Sequence, residues 1–201
     1  MHRLLCALLL LAGPSLAAAA DYRTLEGARP GDDPDTIEVI EFFWYGCPHC
    51  YNFEPHIQRW KQDLPEGVEF RLMPAVFSPS WELHGRAFYA ASVMGVLDRF
   101  HEPMFRAMHE EGRRLDTEAK LGAFVADLGI DRQQFIDTMG SFAVDAKIRR
   151  AKSLQKAYGI SGTPSIVIDG RYVTSGSLAG SFDRMIAVIN DRVAALRGDS
   201  G

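Results

Sequence analysis

The chain has 201 residues, of which 47% are hydrophobic and 24% charged, with a formal net charge of −4. That is enough apolar chain for one well-buried domain. An acidic balance without a basic excess argues against nucleic acid as a partner.

The first twenty residues read as a leader, not as fold. His2-Arg3 is a short basic start, and Leu4 to Ala12 is an apolar run too short to span a bilayer. Gly13-Pro14-Ser15 breaks the run, and Ala17 to Ala20 supplies small residues for cleavage. The pattern is that of a secretory signal peptide cut after Ala20, with an uncleaved anchor as the alternative. Cys6 lies inside the apolar run, and Arg3-Leu4-Leu5 before it lacks the small residues of a lipid-modification site. Removal of the leader leaves Cys47 and Cys50 as the mature protein's cysteines. A bridge across so short a loop staples almost nothing. Its value is redox chemistry or metal binding.

Tyr22 and Leu25 suggest a short edge strand, and Gly31-Asp32-Asp33-Pro34-Asp35 a turn. Ile37 to Trp44 is mostly β-branched and aromatic, which predicts a strand covered on both faces, interrupted by Glu38 and Glu41. Gly46 ends it, Cys47-Pro48-His49-Cys50 follows, and a helix is expected from about Tyr51 to Leu64. Phe53, Ile57 and Trp60 share its core face, and Pro55 predicts a kink. The cysteine pair therefore sits where a strand hands over to a helix N-terminus. Unpaired N–H groups and about half a positive charge gather there, so a thiolate is stabilised and its pKa falls.

Val68 to Met73 alternates and reads as a second strand, with Pro74 ending its pairing. From Ser80 to Tyr158 the pattern is helical, in segments near Trp81–Val96, Glu102–Glu110, Thr117–Leu128, Arg132–Met139 and Phe142–Tyr158. Asp131 and Gln134 resemble a capping box, and Gly140 and Gly159 stand at C-cap positions. This is too much helix for a crossover and predicts an inserted subdomain. Ser165 to Ile168 is a strand, Asp169-Gly170 a two-residue hairpin turn, and Arg171 to Val173 the partner strand. Ser181 to Leu196 is an amphipathic helix with Phe182, Met185, Ile186, Ile189 and Val193 on one face. The expected organisation is a leader at 1–20, a first fold segment at 21–78, a helical insert at 79–158 and a second fold segment at 159–201. A βαβ unit followed by a hairpin and a helix gives an α/β fold, a mixed central sheet flanked by helices. No heptad or exposed stripe calls for more than a monomer.

These residues resemble the thioredoxin superfamily and, within it, the periplasmic DsbA-type disulfide oxidoreductases. Cys47-Pro48-His49-Cys50 after Glu41-Phe42-Phe43, Gly162-Thr163-Pro164 ahead of the hairpin and the intervening helices carry the likeness, which covers essentially the whole mature chain. The resemblance implies a thioredoxin fold, a strongly acidic first cysteine and an oxidising disulfide. It makes Cys47 the nucleophile and leaving group and Cys50 its buried partner. It assigns Pro48 and His49 to tuning of the potential, and a cis Pro164 with Thr163 before it to substrate binding. Disulfide exchange needs no cofactor. Zinc would need two more ligands, and the nearby His49 and His56 fit no common spacing.

Glu41 reads either as a proton relay beneath Cys50 or as a strand glutamate reaching solvent. The family often pairs this acid with a lysine on the neighbouring strand. Here Phe70-Arg71-Leu72-Met73 offers only Arg71. Met73, Phe77 and Trp81 suit a core as well as a peptide groove. The expectation is an exported thiol oxidase acting on newly translocated cysteine-containing proteins in the periplasm and re-oxidised by a membrane DsbB-type partner. A reductase or isomerase of the same superfamily and a non-catalytic peptide-binding chaperone are the alternatives.

Overall fold

The structure is a computed structural model that describes residues 20–27 and 36–198. The expected leader apart from Ala20, the Gly31–Asp35 turn and the last three residues lie outside them. The described strands form one mixed sheet in the order β1-β5-β4-β2-β3. They are β1 (Arg23–Thr24), β2 (Ile37–Phe43), β3 (Val68–Pro74), β4 (Ser165–Ile168) and β5 (Tyr172–Ser175). β2 and β3 run parallel, and the other pairings are antiparallel. The helix α1 (Pro48–Gln62) connects the parallel pair. Between β3 and β4 run α2 (Pro79–Val93), α3 (Leu97–His109), α4 (Glu118–Asp127), α5 (Arg132–Met139) and α6 (Phe142–Ala157). A short α7 (Gly176–Ala179) and the long α8 (Phe182–Gly198) close the chain.

Alternation along β2 divides the core. Val39, with Ile166 and Ile168 of β4, packs against Phe53 and Ile57 of α1 and against Met185, Val188, Ile189, Val193 and Leu196 of α8. Ile40, Phe42 and Val167 meet the inserted helices through Ala87, Phe88, Phe100, Phe105 and Ile148. Trp60 is only half-buried, and its indole N–H donates to Asn190 Oδ1 at 2.8 Å. Thr117, Asp131 and Ser141 cap α4, α5 and α6, each accepting a hydrogen bond from the N–H three residues on.

Several boundaries differ from the sequence reading. α1 begins three residues early, at Pro48, and α2 ends three residues early, at Val93. Three further differences have a local cause. Pro74 does not end the pairing of β3. It lies opposite Phe43, and Ala75 N–H donates to Phe43 O at 2.8 Å. β3 is an edge strand, where a proline's missing N–H can face away from the ladder. α3 begins at Leu97, five residues early, and carries Pro103 in its interior because Phe100, Met104 and Phe105 are anchored in the core. The hairpin loop holds three residues, Asp169 to Arg171, since Ile168 lies opposite Tyr172. Asp169 and Gly170 both take positive φ, at 50° and 58°.

Phe100 is fully buried, whereas Phe142 is 80% exposed. Phe100→Ala should therefore cost about 3–5 kcal/mol, and Phe142→Ala less than about 1 kcal/mol. Urea titrations of the two variants check the contrast.

Candidate active site

β2 ends at Phe43, and Trp44 to Cys47 turn the chain into α1. Cys47 N–H closes this turn on Trp44 O at 3.0 Å, and Tyr51 N–H donates to Cys47 O at 3.1 Å. Cys47 is the N-cap of α1, with extended backbone at φ −90° and ψ 114°. Pro48 fills the first helical position, where its missing N–H leaves no bond unmade. No side chain caps the helix. The donors of its first turn are thus left for the cysteine sulfur.

The two thiols are not bonded to each other and differ sharply in acidity. Cys47 is lowered from the ordinary 9.0 to about 5. The hydrogen bond from Cys50 contributes most, and burial opposes it. The Thr163 side chain and the main-chain N–H groups of Cys50 and His49 add to the lowering. Cys50, three residues into the helix and fully buried, is pushed far upward. Burial is the main cause, followed by the hydrogen bond that Cys50 gives to Cys47 and by the charge of Cys47.

Across the pair, the Thr163–Pro164 peptide is cis, and Cys47 Sγ lies 3.4 Å from Thr163 O. His49, Thr163, Pro164, Gly176 and Phe182 line a cleft of about 650 Å³ beside the cysteines. The His49 side chain is exposed on the first turn. Its main-chain N–H is among the groups that support the Cys47 sulfur. His56 faces away from the cysteines and pairs with Asp183 at 3.0 Å. Among the described residues no cluster of three His, Cys, Asp or Glu side chains is arranged to hold a metal ion.

Glu41 lies beneath the pair, 1% exposed, and its Oε2 has no hydrogen-bond partner. Burial raises it well above the usual carboxylate range, and the charge of Glu54 on α1 adds to the rise. Arg71 takes no part. It stands opposite Ile40, so the pleat turns it to the other face, where it binds Glu38 at 2.9 Å and Glu69 at 3.2 Å. The positive charge that acts on Glu41 is Lys61, from the last turn of α1. Glu54 and Lys61 are absent from the sequence reading because only packing brings them to Glu41. They line a second cleft of about 680 Å³ with His101 and Gln58. His84, His101 and His109 were also missed. The one available signal is that His101 and His109 stand eight residues apart on one helix face.

Two thiols of opposed acidity on one helix turn are built to exchange a disulfide, and with the five-stranded core they define a thiol:disulfide oxidoreductase of the thioredoxin class. The chain belongs to the DSBA-like thioredoxin domain family, whose model matches residues 38–185. It is 43% identical over 167 residues to the thiol:disulfide interchange protein DsbA of Azotobacter vinelandii, covering 83% of this chain and 78% of that protein. The crystal structure of Pseudomonas aeruginosa DsbA superposes with a TM-score of 0.82 at 37% identity, over 89% of this chain and 95% of that one. The oxidoreductase DsbA from Xylella fastidiosa gives a TM-score of 0.80 at 33% identity, over 90% and 96%.

The Cys47 shift sets a pH dependence. In the folded dithiol form Cys47 loses its proton near pH 5, and in the unfolded chain near 9.0. Between those values the unfolded chain binds more protons, so stability rises with pH. The contribution is complete above about pH 9 and is lost as pH falls through 5. Its size is on the order of 2–4 kcal/mol for a partly enclosed sulfur. Denaturant melts of reduced protein between pH 5 and 9 should show this slope. Melts of the disulfide form, which has no Cys47 thiol, should lack it.

Proposed function

We propose that the protein donates a Cys47–Cys50 disulfide to cysteine-bearing proteins newly exported to the periplasm. The observation that carries this reading is the opposed acidity of the two thiols, with Cys47 near 5 and Cys50 far above its ordinary value. A client thiolate attacks Cys47 Sγ of the disulfide form. The new bond joins client sulfur to Cys47, and the Cys47–Cys50 bond breaks with its electron pair going to Cys50. A second client thiolate attacks the client sulfur of this mixed disulfide, and Cys47 leaves as a thiolate. The client is oxidised by two electrons and the cysteine pair reduced by two. A stabilised Cys47 thiolate lowers the energy of the product, which makes the disulfide oxidising.

Cys50 cannot remain an anion in its apolar surroundings. Glu41, held protonated by burial and by Glu54, supplies the proton and regains it from solvent. Thr163 and the cis Pro164 present the edge against which an extended client segment pairs, and Pro48 and His49 set the first turn of α1. A DsbB-type membrane oxidase then restores the disulfide. The protein acts as a monomer and needs no cofactor or metal. Among the described residues no helix is long and apolar enough to cross a membrane.

Equilibration of the protein with glutathione buffers tests the direction of transfer. The expected potential lies well above the roughly −270 mV of thioredoxin, with the dithiol form the more stable to denaturant. A value at or below thioredoxin's would make the protein a reductase. With an oxidised client, Cys50→Ser should form a lasting mixed disulfide. The Cys47 thiolate attacks the client disulfide, one client sulfur leaves as a thiolate, and no Cys50 thiol is present to release the client. A chaperone would work unchanged without either cysteine.

Glu41→Gln should slow transfer about tenfold or more and leave the Cys47 titration in place, because a neutral acid and an amide carry the same charge. Stopped-flow oxidation of a dithiol peptide and thiolate absorbance measure the two effects. A titration that moves with the rate would mean that Glu41 works as an anion.

A further inference from the structure

Of the chain's six histidines, three come from the inserted helices and converge on the two residues ahead of Gly46-Cys47. Trp44 Nε1–H donates to His84 Nδ1 of α2 at 3.0 Å. That nitrogen must then be bare, so Nε2 carries the proton and donates to Leu115 O at 3.0 Å. Burial lowers His84 below its ordinary range, which favours this neutral tautomer. Tyr45 is held twice from α3. His109 Nε2 lies 2.7 Å from Tyr45 O and donates to it. His101 Nδ1 lies 2.8 Å from Tyr45 Oη, and its Nε2 faces Glu54 Oε1 at 3.5 Å, too long for a hydrogen bond. Burial holds the Tyr45 phenol un-ionised, so it keeps an O–H to share.

The grip reaches the sulfur by short steps. A Cβ on Gly46 would lie 2.4 Å from the Trp44 ring, so the indole lies directly on the turn. That indole also stacks on Trp81, with ring centres 4.2 Å apart. Cys47 N–H is bonded to Trp44 O. Tyr45 sits among Phe43, Phe100 and Phe105 and is 1% exposed.

We propose that His84, His101 and His109 are positioning residues of the exchange reaction, holding Trp44 and Tyr45 and through them keeping the Cys47 sulfur within reach of the His49 and Cys50 N–H groups. The need differs between the redox forms. In the disulfide form a covalent bond ties Cys47 to Cys50. In the dithiol form that tie is absent, and the sulfur is kept against its donors by the turn together with the hydrogen bonds of Cys50 and Thr163. Loosening the grip therefore raises the dithiol form in energy more than the disulfide form, and the protein becomes a weaker oxidant. The proposal rests on Cys47 being the exchanging thiolate.

The test compares His109→Leu with His109→Gln in the whole protein. A glutamine amide reaches the Nε2 position and can still donate to Tyr45 O, whereas leucine cannot. The readouts are the thiolate absorbance titration of Cys47, the equilibrium constant with glutathione, and the Tm of both redox forms. His109→Leu is expected to move the Cys47 titration upward and to make the disulfide roughly threefold to tenfold less oxidising, the worth of about one hydrogen bond, and His109→Gln to restore both. A loss of Tm equal in the two forms, with titration and constant unmoved, would mean a merely structural histidine and would overturn the proposal. So would a glutamine variant no better than leucine. Should His109→Leu not fold, Tyr45→Phe, which removes only the hydroxyl that meets His101, is expected to give a smaller shift of the same sign, and an unmoved titration there overturns the idea. If the unsubstituted protein shows no thiolate titrating near pH 5, the reading of Cys47 itself fails, which is a separate result.

Discussion

The contact between one sulfur and the open end of a helix organises this molecule. α1 begins with two N–H groups that no side chain caps, and Cys47 is the residue that meets them. Cys50 shares the same helix turn yet is driven the opposite way, because it has passed beneath the surface of the core. Each thiol amplifies the other. Cys50, unable to ionise, remains a hydrogen-bond donor, and its donation is the largest contribution to the acidity of Cys47. The charge that results on Cys47 then raises Cys50 further. Moving the pair outward by a turn would hydrate Cys50 and end that donation. Moving it inward would bury Cys47 further, and the loss of solvent that already opposes its acidity would cancel it.

Much of this was legible in the chain, because it is encoded locally. A run from Ile37 to Phe43 that is apolar apart from Glu38 and Glu41 specifies a strand covered on both faces, and proline immediately after a cysteine specifies a helix start. The fold order followed from such segments. The elements that escaped depend on partners distant in sequence. Arg71 looked like the base nearest Glu41 by strand adjacency, but the pleat sends them to opposite faces, and Lys61 arrives from the far end of α1. The helical pattern placed the start of α3 near Glu102, whereas Leu97 begins it, because Phe100 is pinned among Tyr45, Phe124 and Phe135. The histidines that surround the turn carry little local mark beyond the spacing of His101 and His109 on one helix. Each reads as an ordinary helix residue until α2 and α3 are packed on the sheet.

Under the proposed positioning role, that packing gives the inserted helices a part in the chemistry besides covering the sheet. The aromatic group formed by Phe43, Tyr45, Phe88 and Phe105 joins the end of β2 to α2 and α3. It leaves Tyr45 unable to turn without displacing rings from two helices. A turn flanked by Gly46 would otherwise be the most pliant part of the site. The insert thus supplies the stiffness that the glycine withdraws, while the glycine supplies the room that the Trp44 ring requires.

The proton traffic follows from the same geometry. In the proposed exchange, electrons are left on Cys50, in a place where charge is costly. Glu41 lies there as a neutral acid, and three neighbours fix its state. Burial and the negative Glu54 keep the proton on, and Lys61 works against them. Burial wins because Glu41 is enclosed by the sheet, whereas Lys61 sits at a cleft open to solvent, where its field is screened. Had the base come from β3 on the inner face, as strand adjacency suggested, Glu41 would have been paired and ionised, and two buried anions would have faced each other whenever Cys50 was released. Placing the base at the rim lets the acid hold its proton until the disulfide breaks.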